Sequence, residues 1–478
     1  MQYQQYSMAE TIRHRDSVFN DGQSLWCYNL QNLFKQKNQR TFFVKTLNKS
    51  KTKNLSLGDS HIQYSKHKYI SLVNSFLKIL FKHNEVVGFV LEKNDHSIEI
   101  YGDTQEWIDS FKNLTIQLDF TSTYKIVKKI GQGIAAQVYQ ATNKTNKLNY
   151  AAKIFEKKRI LLEETEIIAI NKELHYLRLL QHQNIIRLYE VFENKQHIIF
   201  ITDLYQGGEL HHSLSRYGLE ENQVAEVIKP IITAISFMHS KGIFHRDLKP
   251  QNIMLKEIDA FETISLIDLG LADKFTKEGK YLYNRCGTPG YVAPEVLQDK
   301  KYDLKVDVYS IGIITYLALT GKEPFASNNY EELVQKNYDG RISLINLNVS
   351  ENCIDFLKRT LCKDNKLRLS SAEALEHPFI TFGKGNHIFQ TNKGATTQRM
   401  SMTSLRCSTD ASSENGSIPK TFRGKIQQYM NTFQTLKSDL NQEAKKEKEE
   451  NLKKRKEFCI RKSQLLKIKS TNNKPNFE

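Results

Sequence analysis

The residues best suited to chemistry lie between positions 245 and 268. His245-Arg246-Asp247-Leu248-Lys249-Pro250-Gln251-Asn252 is followed, sixteen residues beyond Asn252 and after the strand-like ISLI, by Asp268-Leu269-Gly270. Asp247 and Lys249 offer a carboxylate and a cation beside an attacking hydroxyl. Asn252 and Asp268 offer hard oxygen ligands of the kind Mg²⁺ takes. Upstream, Gly131-Gln132-Gly133-Ile134-Ala135-Ala136-Gln137-Val138 lies between the strand-like KIVKKI and VYQAT. Small residues let a hairpin backbone approach phosphate oxygens closely; taken alone, a glycine-bearing turn between strands is only a turn. Lys153 follows fifteen residues after Val138, inside the apolar strand YAAKIF, where an ammonium must find an anion or point outward. In the helix-like KELHYLRLLQHQNII, Glu173 falls on the inward face with Leu177 four residues on, placed to pair with Lys153. A phosphate clamp, metal ligands and a carboxylate for a hydroxyl nucleophile are the parts that phosphoryl transfer from ATP requires.

In this order the motifs resemble those of the eukaryotic protein kinases, over roughly 124–382, a little over half of the chain. The resemblance implies an α+β, bilobal fold with a β-rich N-lobe and a helical C-lobe, and ATP and Mg²⁺ as cofactors. It gives Lys153 the α- and β-phosphates, with Glu173 as its partner. Asp247 would orient and deprotonate the substrate hydroxyl, Lys249 would neutralise the γ-phosphate, and Asn252 and Asp268 would bind magnesium. Gly131 and Gly133 would cover the phosphates, and Val138, Ala151 and Met254 would sandwich the adenine. The backbone of Asp203 and Tyr205 matches the adenine-binding hinge, with Thr202 as gatekeeper before it. Leu177, Leu188, His245 and Leu269 fit the apolar stack that links the lobes of such kinases. Residues 286–295, CGTPGYVAPE, resemble the substrate-facing loop, with Thr288 in it; Glu295 would pair with Arg368, and Asp307 would anchor the catalytic loop. Lys249, Thr288, GTPGYVAPEVL, GGEL at 207–210 and the closing EHPF together resemble serine/threonine kinases of the calcium/calmodulin-dependent group.

The departures from that pattern are specific. Leu269 replaces the usual Phe and stays apolar, so activity is expected to survive. Ala136 replaces the third glycine of the loop. Asn284 stands two residues before Cys286, where relatives often carry a phosphorylatable Thr that would pair with Arg246, so no phosphorylation is expected to be needed there. Thr276, Tyr281 and Tyr283 are the alternatives. Glu209 resembles an acid that contacts the ribose and a basic residue three positions before the target. Gln251 and Leu317 stand where strongly basophilic relatives have acids, which predicts Arg at −3 and no preference at −2.

These residues need elements to position them, and the chain has three textures. Across 1–120, FFV (42–44), YISLV (69–73), FLKILF (76–81), VVGFVL (86–91) and SIEIY (97–101) read as strands, closed by the helix-like DTQEWIDSFKNL. The last strands and the helix with Trp107 resemble the end of a pleckstrin-homology domain, predicting a small β-barrel plus helix. In FKQKNQRTFFV, Lys35, Lys37 and Arg40 would then meet a phosphoinositide head group. Residues 383–418 are Ser/Thr/Asn-rich and read as a disordered linker, and 419–478 as a charged, partly helical tail. Phe422, Ile426, Met430, Phe433 and Leu436 form a stripe beside Lys420, Arg423 and Lys425. That basic amphipathic helix at 420–437 suits calmodulin or autoinhibition, or packing on the kinase C-lobe.

A chain of 478 residues accommodates two folded units plus tails. The net charge of +16, heaviest near both ends, is either a solvated lysine-rich surface or a bias towards acidic partners. No specific nucleic-acid binding is expected. Six cysteines show no metal-ligand spacing and read as reduced thiols, no secretory leader is visible, and the expected location is cytoplasmic or peripheral to a membrane. No EF-hand loop occurs. A catalytically silent kinase-fold scaffold is the competing reading, against which the intact Lys153, Asp247, Asn252 and Asp268 count. A lipid or small-molecule kinase is disfavoured by the peptide-positioning GTPGYVAPE.

Overall fold

A computed structural model describes residues 16–28 and 38–381, apart from 48, 84, 134–135, 163, 215–218, 259, 280–285, 299 and 346. The chain divides into two compact units, Met1–Cys407 and Ser408–Glu478, and all described residues lie in the first. The linker and tail, with the 420–437 stripe, therefore lie outside the described residues, as do Lys35, Lys37, Tyr281, Tyr283 and Asn284.

The N-terminal region forms strands β1 (Trp26–Tyr28), β2 (Asn38–Thr46), β3 (Lys49–Leu57), β4 (His61–Ser65), β5 (Lys68–Ser71), β6 (Phe76–Lys82), β7 (Glu85–Lys93) and β8 (His96–Tyr101), then helix α1 (Gln105–Phe111). Alternation puts one face inward: Phe42, Val44, Leu55, Leu57, Ile62, Ile70, Leu77, Phe89, Leu91, Ile98 and Ile100 share one core. Trp107, Ile108 and Phe111 of α1 close it, with the Trp107 ring 4.6 Å from that of Phe42. Between β7 and β8 the backbones come so close at Gly88 that a methyl there would lie 2.3 Å from the Ile100 carbonyl oxygen. Among the described residues the strand order is β1-β5-β4-β3-β2-β8-β7-β6. β6 pairs in parallel with the two-residue β9 (Ile116–Gln117), which also pairs in parallel with β13 (Leu188–Glu193).

After the short α2 (Phe120–Thr123), the sheet continues as β10 (Tyr124–Gln132), β11 (Ala136–Asn143), β12 (Asn149–Glu156), β13 (Leu188–Glu193) and β14 (His197–Thr202), in the order β13-β14-β12-β11-β10. β14, HIIFIT, is buried along its whole length, as a central strand covered on both faces must be. Helices α3 (Lys157–Ile160) and α4 (Glu164–Leu179) interrupt the strands. Beyond the hinge come β15 (Gly208–Glu209), α5 (Leu210–Leu214), α6 (Glu221–Ser240), β16 (Ile243–Phe244), β17 (Ile253–Leu255), β18 (Ile264–Leu266) and β19 (Asp273–Lys274). Helices α7 (Pro294–Leu297), α8 (Lys305–Thr320), α9 (Tyr330–Asp339), α10 (Glu351–Thr360), α11 (Ser371–Leu375) and α12 (Pro378–Thr381) complete the second lobe. α8 is apolar nearly all round and correspondingly buried, and Gly321, at φ 64°, ends it in the left-handed turn that glycine takes without strain. Of the described helices, none is long and apolar enough to cross a membrane.

Candidate active site

Strand register sets the roof of the cleft. Gly131 lies opposite Val138, Val138 opposite Lys153, and Ala151 opposite Thr202, across β10, β11, β12 and β14. Neither Gly131 nor Gly133 has a positive φ, and a methyl on either would meet its nearest protein atom at 3.6 Å, an ordinary contact. Among the described residues, neither backbone conformation nor crowding demands glycine at these two positions. Lys153 reaches α4: its Nζ is 2.6 Å from Glu173 Oε1. Burial works against the Lys153 ammonium, but the Glu173 and Asp268 carboxylates outweigh it and hold the amine above its ordinary range.

The floor is the loop after β16. Arg246 has φ 68°, an unfavourable conformation for a non-glycine residue. The buried Asp307 of α8 fixes it, accepting from the His245 and Arg246 amides at 2.8 and 2.9 Å and holding His239 Nε2 at 2.9 Å. Three side chains then converge on Asp247. Lys249 Nζ lies 2.8 Å from its Oδ2, the Thr288 hydroxyl donates to Oδ1 at 2.7 Å, and Asn252 Nδ2 donates to Oδ2 at 2.8 Å. Lys249 also donates to the Thr288 hydroxyl at 2.7 Å, tying the 286–295 loop to the catalytic loop. Gly287, at φ 110°, permits this approach: a methyl there would lie 2.7 Å from the Arg246 carbonyl oxygen.

The donor set fits a hard divalent cation. Asn252 commits its amide nitrogen to Asp247, so its carbonyl oxygen is the atom able to meet a metal. Burial would push the Asp268 carboxyl up, but Lys153, the Gly270 N–H and the cations beyond hold it below the usual aspartate range, so it stays anionic. Gly270 N donates to its Oδ1 at 2.9 Å. Lys153 and Glu173 thus form one contacting pair and Asp247, Lys249, Asn252 and Thr288 one contacting set, with Asp268 in the electrostatic field of both Lys153 and Lys249.

Such a site is found across a large group of enzymes, and comparison identifies it. Residues 124–380 match the protein kinase domain model. The chain belongs to the protein kinase family. It is 35% identical over 258 residues to calcium/calmodulin-dependent protein kinase type 1 of Caenorhabditis briggsae, covering 53% of this chain and 71% of that one. It is 32% identical over 275 residues to myosin light chain kinase A of Dictyostelium discoideum, covering 56% and 92%. To mouse death-associated protein kinase 2 it is 35% identical over 282 residues, 57% and 75% of the two chains. It is a protein serine/threonine kinase, similar to members of the calcium/calmodulin-dependent kinase group, and the family implies use of ATP and Mg²⁺.

The remaining expected residues of this kinase fall as follows. Leu177, Leu188, His245 and Leu269 are all buried, and Thr202 is buried at the end of β14. Met254 pairs with Glu209 across β17 and β15. The Asp203 side chain is taken up locally, accepting from the Arg187 amide at 2.9 Å and the Tyr189 hydroxyl at 2.8 Å, and its N–H donates to the Arg187 carbonyl at 3.3 Å, so its backbone carbonyl is the group offered to a ligand. Glu295 and Arg368 form a buried two-pronged pair at 2.6 and 3.0 Å. Arg40, expected to meet an anionic head group, donates to Glu106 of its own domain, with Asp103 at 3.8 Å.

Sequence reasoning missed Asp273. Its carboxylate accepts from Lys172 of α4 at 2.7 Å, from Arg246 Nη2 at 3.1 Å and from the Tyr176 hydroxyl at 3.3 Å. The one available signal was an acid placed five residues after Asp268, in a segment where Arg246 needs an anion.

Proposed function

We propose that this kinase transfers the ATP γ-phosphate to serine or threonine of proteins carrying Arg three positions upstream. The convergence of Lys249, Thr288 and Asn252 on Asp247 is the observation that carries the reading. On it, Asp247 orients the hydroxyl and takes its proton, Lys249 lies where charge develops on the moving phosphate, and Lys153, held by Glu173, fixes the nucleotide. Asn252 and Asp268 would hold the magnesium, which would supply the positive charge that offsets the phosphates. Gly131, Gly133, Val138, Ala151, Met254 and the hinge backbone of Asp203 and Tyr205 enclose the nucleotide. Glu209 supports the −3 preference as an acid opposite Met254; Leu317 is buried and offers no charge for −2. A degenerate peptide library tests this: selection of Arg at −3 is expected, and acidic or proline-directed selection would overturn it.

The cleft reads as active without a phosphate on its activation segment. Asp273 supports this, because its carboxylate already joins Arg246 of the catalytic loop to Lys172 of α4, the task a phosphate would perform. Full activity of phosphatase-treated protein is expected, with a loss of activity in Asp273→Asn; strict dependence on phosphate at Thr276, Tyr281 or Tyr283 would refute it.

The flanking regions are read as regulatory, in a kinase working in the cytoplasm with reversible membrane contact. Calmodulin engaging 420–437 is suggested by the stripe there and by relatives named as calcium/calmodulin-dependent; stimulation of the full chain by Ca²⁺/calmodulin tests it. A pleckstrin-homology-like role for the N-terminal domain is supported by its strand order and by the closing helix with Trp107. With Arg40 paired internally, Lys51, Lys53 and Lys68 become the better candidates for an anionic lipid. Lys68 Nζ lies 3.6 Å from the Trp26 ring centre, and Lys53 Nζ 3.8 Å from that of Tyr64. Burial, with Lys51 and Lys68 nearby, pulls the Lys53 amine below its ordinary range, a strain that an anion would relieve. Full-chain protein is expected to pellet with phosphatidylcholine vesicles containing a phosphoinositide, and Lys53→Glu to pellet less. Equal pelleting with plain phosphatidylcholine would exclude this recruitment.

A further inference from the structure

The catalytic cleft uses helix α4 through Glu173, yet the back of that helix is held by residues outside the kinase domain. Phe19 is 1% exposed and shares the apolar cluster of Phe155, Ile160, Ile170, Leu174 and Phe200, its ring 6.4 Å from that of Phe200. The chain just before it is fixed by Glu193 of β13. Val18 N donates to Glu193 Oε1 at 2.8 Å, the Ser17 hydroxyl donates to the other oxygen, and Lys157 Nζ meets the same carboxylate at 2.5 Å. From α4 itself, Asn171 Nδ2 donates to the Val18 carbonyl oxygen at 3.3 Å.

A second hold lies farther along the helix. Arg178 Nε donates to the Asn113 carbonyl oxygen at 2.6 Å, and its Nη1 to Asn74 Oδ1 at 2.7 Å. The segment carrying Phe19 is in turn strapped to the N-terminal domain. Asp21 pairs with the buried Lys93 at 3.0 Å, Asn94 Nδ2 donates to the Gln23 carbonyl oxygen at 2.7 Å, and Leu25 enters the domain core. Glu173 lies between the two holds, on a helix whose buried apolar residues are Ile170, Leu174, Tyr176 and Leu177.

We propose that Phe19 and Arg178 are positioning residues for phosphoryl transfer, keeping α4 where Glu173 reaches Lys153, so that the N-terminal domain acts on catalysis in cis. Removing the Phe19 ring opens a void beside Phe200 and loosens the segment whose Val18 carbonyl holds Asn171 of the helix, and a packed helix that loses such a hold shifts rather than deforms. The ammonium of Lys153 then loses the partner that aims it at the nucleotide. A ligand that altered the strap would be felt in the cleft by the same route.

The inference rests on Glu173 acting as the partner of Lys153, and the test separates the two. Steady-state kinetics on the full chain compare wild type, Phe19→Ala, Glu173→Ala and the double variant. Phe19→Ala is expected to lower kcat about tenfold and to raise KM for ATP, with Phe19→Leu restoring most of both. In the Glu173→Ala background, Phe19→Ala should change kcat no further, since the route is already cut. Losses that multiply in the double variant, or a folded Phe19→Ala with wild-type kcat, would overturn the brace. Should Phe19→Ala not fold, Arg178→Gln takes its place in the same cycle, read by the same outcomes. Wild-type kcat in Glu173→Ala would instead remove the role of Glu173.

Discussion

The catalytic cleft and the N-terminal β domain handle charge in opposite ways. In the cleft, charges are drawn inward and paired: Lys153 with Glu173, Lys249 with Asp247, and Arg246 and Lys172 with Asp273. In the N-terminal domain, Lys51, Lys53 and Lys68 stay on the outer face and lie over the Trp26 and Tyr64 rings, while Lys93 goes inside and finds Asp21. Buried pairs hold side chains still before the reaction and require no reorganisation during it. Outer-face lysines resting on aromatic rings keep their charge available to an external anion. One region is built to fix charge, the other to display it.

Substitutions sharpen or break this contrast, and the largest effect is expected at Asp247. Asp247→Asn keeps the shape but removes the base, and kcat should fall by about 100- to 10,000-fold, the usual range for such a group. A smaller loss would mean the converging hydrogen bonds carry less of the chemistry than the geometry suggests. Next, Glu295→Gln leaves Arg368 buried without its anion, and urea titration should show about 3–5 kcal/mol of lost stability. Lys68→Ala should cost at most about 1 kcal/mol, the worth of a partly exposed ammonium over the Trp26 ring. If Lys68→Ala cost as much as Glu295→Gln, the contrast between fixed and displayed charge would fail. The smallest effect is one of pH. Burial pulls the His245 imidazole below its ordinary range, so the folded chain keeps it neutral while the unfolded chain binds a proton near pH about 6.5. Stability from this group is therefore full above that pH and falls as the pH drops through it towards the folded value. Urea midpoints from pH 7.5 to 5.5 should show a shallower fall in His245→Phe than in wild type.

The site was legible because its residues sit in contiguous runs, HRDLKPQN, DLG and GTPGYVAPE, where local spacing fixes the chemistry. The strands β6, β7 and β8 and the helix with Trp107 were equally readable from alternation and from the apolar face of QEWIDSF. β3 was not: KSKTKN at its start is almost wholly solvent-facing, so no alternation marks it. β9 has two residues and owes its existence to neighbours on both sides, which no local pattern encodes. Asp273 and the Ser17–Phe19 strap escaped for the same reason: Val18 and Asn171, which bond, are 153 residues apart in sequence.

The central claim, that this chain is a phosphotransferase working through Asp268, is tested most directly by following transfer of labelled γ-phosphate from ATP to an Arg-x-x-Ser peptide. Full-length wild type and Asp268→Asn are compared with and without Mg²⁺. The account predicts Mg²⁺-dependent transfer by wild type and its loss in Asp268→Asn. Undiminished transfer by that variant, or none by folded wild type that binds ATP, would contradict it.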